Sequence, residues 1–241
     1  MEVILTECTV NPVKSIERAA ANCYDSSPDD NGKIMNNCYN SGHHSVLEFA
    51  DFTFHISGIS RALTHQLVRH RHASYAQRSQ RYCVEDGFKY VIPDTIKNND
   101  DKALSIYNDV ITHIQLAYKT LTDTYGIPAE DARYLLPNAC ETVIEVKMNG
   151  RELIHFCNER LCTRAQWEIR KLAKKMKACV AGYNDECKKF SSFLVPKCQK
   201  CLGYPFCTEY KSCGLAPKLS DVYKAYIKAQ ERQPSGGEWY E

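Results

Sequence analysis

Apolar and polar positions along the chain follow two patterns, which together predict an α+β fold. Residues 52–56 alternate with period two, residues 142–148 are rich in β-branched side chains, and residues 3–10 also have strand character. Helical segments separate these strands irregularly rather than in a βαβ order. The pattern therefore favours α+β over a doubly wound parallel sheet.

Apolar residues at helical spacing predict amphipathic helices at residues 12–23 and 102–125. Another helix is expected after Asn149, which can cap it, with Glu152 completing a capping box. A last long helix, to about residue 181, is expected to begin at Thr163 in the same way. The expected buried positions of the two longest helices are Tyr107, Val110, Ile114, Ala117 and Leu121 in the first, and Ala165, Ile169, Leu172 and Met176 in the second.

Three segments are interpreted as connections. Residues 41–45 are expected to form a loop, and Ser57-Gly58 is expected to turn the chain into a helix that carries Ile59 inward. Residues 69–81 are expected to run as a loop from the end of that helix.

Length and composition are those of one globular domain with a small appendage. The chain has 241 residues, of which 44% are hydrophobic and 25% charged. We expect a main domain at residues 1–195 and a cysteine-rich tail with a terminal helix at residues 196–241. No apolar run is long enough for a membrane span, and no secretory signal is visible. Because the 13 cysteines then read as reduced thiols or metal ligands, the expected compartment is the cytoplasm.

The segment at residues 69–81 holds four arginines, two histidines and two serines, with no lysine or carboxylate. Guanidinium groups are always charged and are shaped for bidentate bonds to phosphate or carboxylate. A solvated surface would mix lysine with glutamate. This composition indicates a pocket for an anionic ligand, with nonspecific contact to a nucleic-acid backbone as the alternative.

The same segment resembles the signature of the flavin-dependent thymidylate synthases. Arg69-His70-Arg71 is followed after seven residues by Ser79, and then by Arg81-Tyr82. Further blocks resemble that family in the same order, over about residues 1–190. They are Gly42-His43-His44-Ser45 with Glu48, the block from Ala132 to Pro137, Asn149-Gly150-Arg151, Arg160, and the block from Ala165 to Ile169.

The resemblance implies an activity and an assembly. It implies conversion of dUMP to dTMP with 5,10-methylenetetrahydrofolate as one-carbon donor and FAD, reduced by NADPH, as hydride donor. No protein nucleophile is required, because the flavin mediates the reduction. It also implies a central, largely antiparallel sheet and a homotetramer whose active sites are built from several subunits.

The resemblance also implies roles for individual residues. Arg160 is expected to polarise the uracil ring, which is the catalytic role. The expected dUMP-binding residues are Gln66, Arg69, Gln77, Arg78, Ser79, Gln80, Arg81, Arg133 and Arg160. The expected FAD-binding residues are His43, Ser45, Arg69, His70, Arg71, Gln77, Asn149, Arg151 and His155.

Two positions need a separate comparison. Where many relatives have Asn-Glu, this chain has Ala76-Gln77, so an amide replaces a carboxylate. Cys83 lies two residues beyond Arg81, and flavin-free thymidylate synthases use a cysteine nucleophile. An inert structural thiol is the more common state of such a residue, and we expect Cys83 to be dispensable.

The tail contains a C-x-x-C pair and two further cysteines: Cys198, Cys201, Cys207 and Cys213. Four thiolates can hold structural zinc, but the wide spacing of the second pair is also typical of reduced cysteines packed in a small appendage. A rival function follows from the same features. A noncatalytic nucleic-acid-binding protein would use the arginine segment on phosphates and the tail as a metal knuckle. The net charge of +2 argues against it.

Overall fold

The computed structural model describes residues 1–23, 25–28, 31–199 and 206–230. Its centre is a four-stranded sheet in the order β1-β2-β4-β3, and every neighbouring pair is antiparallel. The strands are β1 (Glu2–Cys8), β2 (Asp51–Ser60), β3 (Ala73–Gln77) and β4 (Glu141–Asn149). The predicted α+β fold with a largely antiparallel sheet is confirmed.

Ten α-helices occur in the part of the chain that the structure describes. They are α1 (Pro12–Cys23), α2 (Lys33–Asn40), α3 (Arg61–Leu67), α4 (Asp94–Lys97), α5 (Asp101–Lys119), α6 (Ala129–Ala132), α7 (Gly150–Arg160), α8 (Trp167–Tyr183), α9 (Asp185–Ser191) and α10 (Leu219–Gln230). Helix α10 lies where the terminal helix is expected. None of the described helices is both long enough and apolar enough to cross a membrane.

The core forms because β2 and β4 place their apolar side chains on the same face of the sheet. Phe54 is paired with Val146 and Ile56 with Ile144, and all four side chains are fully buried. Phe52 extends this row and packs against Phe190 of α9, with ring centroids 4.9 Å apart. Burying one side chain of this size stabilises the fold by about 1.5–3 kcal/mol. The sheet is therefore a rigid base for the loops at its ends.

The prediction of a turn at Ser57-Gly58 is wrong, because β2 continues through these residues. The pairing register with β4 shifts between Ser57 and Ile59, and Gly58 has φ +64°, so β2 contains a bulge at this point. A Cβ at Gly58 would lie 2.8 Å from the Met1 nitrogen. Ile59 is therefore a buried strand residue, and the helix begins only at α3, where the Ser60 side chain accepts the Leu63 N–H.

The arginine-rich segment is not a continuous loop, because its middle forms β3. Ala73 pairs with Met148 and Gln77 with Ile144 of β4. The Tyr75 hydroxyl, directed inward from β3, lies 2.8 Å from the carbonyl oxygens of both Leu67 and His70. Burial raises the pKa of Tyr75. Pairing with β4 and this hydroxyl fix the turn that carries the Arg69-His70-Arg71 motif.

Two predictions about the long helices are wrong in detail. In α5 the buried residues are Ile111 and Tyr118, whereas Val110 is 53% exposed. Ile111 forms a small core with Phe88 and Cys140, and the expected Tyr107 and Ile114 pack against it while half-buried. The buried stripe is therefore rotated by one position, so that Val110 and Ala117 are exposed.

Helix α8 begins three residues later than a cap at Thr163 would place it. Its cap is Gln166 rather than Thr163, and the Gln166 side chain accepts the N–H groups of Glu168 and Ile169. The expected buried positions Ile169, Leu172 and Met176 of α8 are confirmed, and Ala165, which precedes the helix, packs against the same core while half-buried.

Candidate active site

Helix α7 carries most of the candidate site, and its start is fixed by close packing. The Asn149 side chain caps the helix by accepting the Glu152 N–H at 2.9 Å, as expected. At Gly150 a Cβ would lie 2.6 Å from the Leu47 carbonyl oxygen and 3.0 Å from the Phe190 ring. Only glycine allows this approach. The first turn of α7 is therefore held against the 3₁₀ helix His44–Phe49, whose first two residues were expected to belong to the 41–45 loop.

A buried hydrogen-bonded chain joins Glu152, His70 and Arg160. The Glu152 carboxylate lies 3.1 Å from His70 Nδ1, so Glu152 does not complete the expected capping box. Arg160 Nε donates to His70 Nε2 at 3.1 Å. Because arginine has no acceptor, His70 Nε2 must be unprotonated and Nδ1 must carry the proton. The chain fixes the guanidinium of Arg160, while His70 and Glu152 are each about 5% exposed.

A cavity of about 610 Å³ lies between α7 and the 3₁₀ helix His44–Phe49. Three predicted flavin ligands, Asn149, Arg151 and His155, line it. His70 lies beneath this wall, with its ring centroid 5.5 Å from that of His155. The remaining lining residues are Tyr39, His44, Leu47, Glu48, His72, Glu152, Ile154 and Asn158.

The donors and acceptors of this cavity fit a flavin nucleotide. The volume is in the usual range for cofactor sites. Asn158 Oδ1 is buried and has no hydrogen-bond partner among the described residues, so it can accept from a bound ligand. Arg151 supplies a cation and is paired with Glu48 at 2.7 Å. These groups match the mixture of pyrophosphate and ring hydrogen-bonding groups that FAD presents.

The other predicted flavin ligands do not line this cavity. His43 and Ser45 are exposed beside the cavity, and the residue between them, His44, lines it instead. The His44 ring stacks on Tyr39 and contacts the Tyr39 carbonyl oxygen at 3.0 Å. Arg69 and Arg71 are exposed in the turn that precedes β3.

His70, Glu152 and His155 also bring three potential metal-ligand atoms within 4.8 Å of one another. The hydrogen bonds of His70 to Glu152 and Arg160 occupy both of its ring nitrogens. Metal coordination by His70 would break one of them. We therefore interpret His70 and Glu152 as the residues that position Arg160.

A second cavity, of about 290 Å³, shares no lining residue with the first. Gln77 and Gln80 line it, and the Gln77 amide donates to Thr64 Oγ1 at 3.2 Å. Arg61 was not predicted, yet it also lines this cavity. Its Nε is buried without a hydrogen-bond partner among the described residues, and burial lowers the pKa of Arg61. Gln66 is half-buried on α3, the helix that also carries Thr64.

The arginines expected on the dUMP phosphate form a separate cluster around Glu130. Arg81 Nε contacts the Glu130 carboxylate at 2.6 Å, and Arg133 Nε donates to the Glu130 carbonyl oxygen at 3.0 Å. The Ser79 hydroxyl accepts the Arg81 N–H. Arg78 is turned towards Glu85 instead, and this hydrogen bond raises the pKa of Arg78.

The predicted dUMP residues thus fall into two groups within one chain. Arg160 contacts His70 beside the large cavity, whereas Arg81 and Arg133 meet at Glu130. No contact in the described part of the chain joins these two groups.

In the tail, Cys198, Cys207 and Cys213 line one small cavity, together with Cys162. The fourth predicted zinc ligand, Cys201, lies outside the described residues.

Comparison with known proteins assigns this arrangement to a family. Residues 4–182 match the family described as thymidylate synthase complementing protein. The chain is similar to the flavin-dependent thymidylate synthase of Geobacter sulfurreducens, with 46% identity over 194 residues that cover 76% of this chain and 83% of the relative. It is 39% identical to that of Clostridium tetani, with coverage of 92% and 97%.

Solved structures agree with the fold. The ThyX of Helicobacter pylori, complexed with FAD and dUMP, superposes with a TM-score of 0.64 at 23% identity, covering 81% of this chain and all of the other. The UMP/dUMP methylase PolB of Streptomyces cacaoi, bound to 5-Br dUMP, gives 0.67 at 21% identity, with coverage of 79% and 94%. With its signature motifs, its antiparallel sheet and these relatives, the chain belongs to the flavin-dependent thymidylate synthase family.

Proposed function

We propose that this protein converts dUMP to dTMP, with 5,10-methylenetetrahydrofolate as one-carbon donor and NADPH-reduced FAD as hydride donor. The observation that carries the proposal is Arg160, held by His70 beside the cavity that fits a flavin. Bound FAD would supply the hydride chemistry, and Asn149, Arg151, His155 and Asn158 would hold it.

Arg160 is proposed to polarise the uracil ring. Its guanidinium stays positive and is fixed by His70, which Glu152 holds from the other side. A preorganised cation stabilises negative charge on the ring without reorganising during the reaction. The pyrimidine carbon that accepts the one-carbon unit thereby becomes more nucleophilic.

The remaining dUMP contacts are proposed from the second group of residues. Arg81 and Arg133 would bind the phosphate, exchanging their contacts with Glu130 for it. Gln77 is held by Thr64 and lies 3.5 Å from Thr142 Oγ1, so its amide is positioned to bond to the base or ribose. Gln66, Arg69, Arg78, Ser79 and Gln80 complete the proposed set.

Cys140, the buried thiol of this region, is not activated. Burial raises the pKa of Cys140 to about 11, which leaves it protonated at neutral pH. This agrees with a reaction that needs no protein nucleophile.

We further propose a homotetramer in which active sites combine groups from different subunits. The separation of Arg160 from the Glu130 cluster within one chain supports this. A second support is the exposed apolar strip of α5, which consists of Ile106, Val110 and Leu116, each more than half exposed.

Residues 1–195 are proposed as the catalytic domain and 196–241 as its appendage, since the family match ends at residue 182. All described cysteines are free thiols, which supports a reducing compartment such as the cytoplasm. The nucleic-acid hypothesis loses support, because Arg78, Arg81 and Arg151 are each paired with a carboxylate.

The test is a visible absorption spectrum of purified protein after incubation with FAD and desalting, followed by titration with dUMP. Retained flavin bands that shift on dUMP addition would support one shared site. The Arg151→Ala variant should retain less flavin, and the Arg170→Ala variant should retain as much as the parent. Absence of retained flavin in the parent protein would contradict the proposal.

A further inference from the structure

Four cysteines from separate parts of the chain line one small cavity of about 60 Å³ behind α7. Cys162 belongs to the connection between α7 and α8, and Cys198 to the 3₁₀ turn Lys197–Gln199. Cys207 and Cys213 come from the tail, where the Cys207 N–H donates to the Pro217 carbonyl oxygen at 2.7 Å. The set therefore joins the tail to the catalytic domain. Its first two members, Cys162 and Cys198, are 36 residues apart in the sequence.

Cys198 lies within electrostatic range of the other three cysteines, Cys162, Cys207 and Cys213. The Cys213 side chain is hydrogen-bonded to the side chain of Thr163, the neighbour of Cys162 in the sequence. Arg164 and Lys197 also line the cavity. The four thiols therefore meet at one place between the tail and the end of α7.

We propose that Cys162, Cys198, Cys207 and Cys213 bind a structural zinc ion. Four thiolates are a preferred tetrahedral ligand set for zinc, and all four residues carry free thiols rather than disulfides. Zinc–sulfur bonds of about 2.3 Å require sulfurs about 3.8 Å apart. No three of the described cysteine sulfurs lie within 4.8 Å of one another. Metal binding therefore draws the tail inward against the catalytic domain.

The ion would have a consequence for the active site. Cys162 lies two residues after Arg160, at the end of α7. Asn158 lines both this cavity and the large one. Zinc bound to Cys162 thus anchors the last turn of the helix that presents Arg160 and Asn158, while taking no part in the reaction.

The experiment is metal analysis of untagged, full-length protein grown with zinc, compared with Cys162→Ser and Cys23→Ser variants. Cys23 is an exposed thiol of α1 that does not line the cavity. We expect about one zinc per chain in the parent and in Cys23→Ser, and a large loss in Cys162→Ser. Cobalt substitution should give thiolate-to-cobalt charge-transfer absorption in the parent that Cys162→Ser weakens.

Each alternative result is decisive. Circular dichroism and FAD retention show whether Cys162→Ser is folded, and Cys213→Ser, at an exposed position, replaces it if it is not. A folded variant with full zinc and an unchanged cobalt spectrum would remove Cys162 from the site. Parent protein without zinc, or with iron and inorganic sulfide instead, would overturn the zinc site itself.

Discussion

Arg160 depends on two buried neighbours for its position, and they also set its chemistry. His70 is neutral when it accepts from Arg160 and donates to Glu152. The Glu152 carboxylate is therefore separated from the Arg160 cation by two hydrogen bonds. Among the described residues no carboxylate is paired directly with Arg160, so its charge is not neutralised by an ion pair. This arrangement predicts that the guanidinium matters for turnover more than for flavin binding.

Replacing Arg160 by lysine tests this prediction. Lysine keeps the charge but cannot maintain the planar contact with His70. We expect kcat to fall roughly 100-fold or more, with FAD retention unchanged. Arg170→Lys is the matched control, because Arg170 is also half-buried and bonds to the Thr163 carbonyl oxygen. Steady-state kinetics with parental kcat in Arg160→Lys would remove the residue from the chemical step.

Replacing Arg81 by alanine should act on affinity. Because Arg81 and Glu130 are both about half exposed, losing their ion pair costs at most about 1 kcal/mol of stability. The apparent dUMP constant should rise by more than kcat falls, since a phosphate contact is made in the ground state and transition state alike. Lys119→Ala removes the equally exposed ion pair with Asp86 and should change neither constant. A fall in kcat at an unchanged dUMP constant would instead place Arg81 in the reaction.

Motif matching identified residues that are close in sequence, but it did not resolve which of them face the cavity. Asn149, Arg151 and His155 line it, whereas His44 does so in place of His43 and Ser45. Asn158 was missed, although its spacing from Arg151 and His155 puts it on the same face of α7. Arg61 precedes the motif by eight residues, and no local signal marks it.

Among the elements, β3 was missed because its residues have weak strand preference. Ala73 to Gln77 form a strand since β4 provides an antiparallel partner, a tertiary effect that a sequence window does not contain. The buried face of α5 was only partly right for a related reason, since Tyr107 and Ile114 pack against the core but Val110 does not. Its apolar residues surround the helix, so periodicity alone could not show that Ile111 and Tyr118 are the buried ones.

Alanine substitutions at two glycines, one at the start of α7 and one near the end of α8, should have opposite effects on stability. Gly150→Ala places a methyl group 2.6 Å from the Leu47 carbonyl oxygen, so it should destabilise the protein by about 1–3 kcal/mol. Gly182→Ala, near the end of α8, meets nothing within 4 Å and should stabilise by up to about 1 kcal/mol. Urea unfolding of both variants measures the difference. Equal stabilities would show that the Gly150 contact is not tight.

At the scale of the whole molecule, one chain contains the parts of an active site in two places. The flavin-sized cavity lined by Asn149 and His155 and the cavity lined by Gln77 have no lining residue in common. An oligomer in which one subunit's arginines reach the neighbour's flavin cavity would unite them. The exposed apolar strip of α5 is the surface that we expect to be covered in such an assembly.

Val110→Glu tests the assembly, because a charge in the centre of the strip opposes its burial. Native mass spectrometry should show a tetramer for the parent and smaller species for the variant. Val10→Glu, the same substitution at an exposed valine outside α5, should remain tetrameric. A parent protein that is monomeric at micromolar concentration would contradict the shared site, and a tetrameric Val110→Glu would exclude this strip from the interface.

A single-turnover reaction without oxygen tests whether reduced flavin alone supports dTMP formation. Protein loaded with chemically reduced FAD is mixed with dUMP and 5,10-methylenetetrahydrofolate, and dTMP is measured. We expect dTMP from both the parent and the Cys83→Ala protein, since no thiol attacks the ring. No dTMP from flavin-loaded, folded parent protein, or loss of dTMP in Cys83→Ala alone, would contradict this expectation.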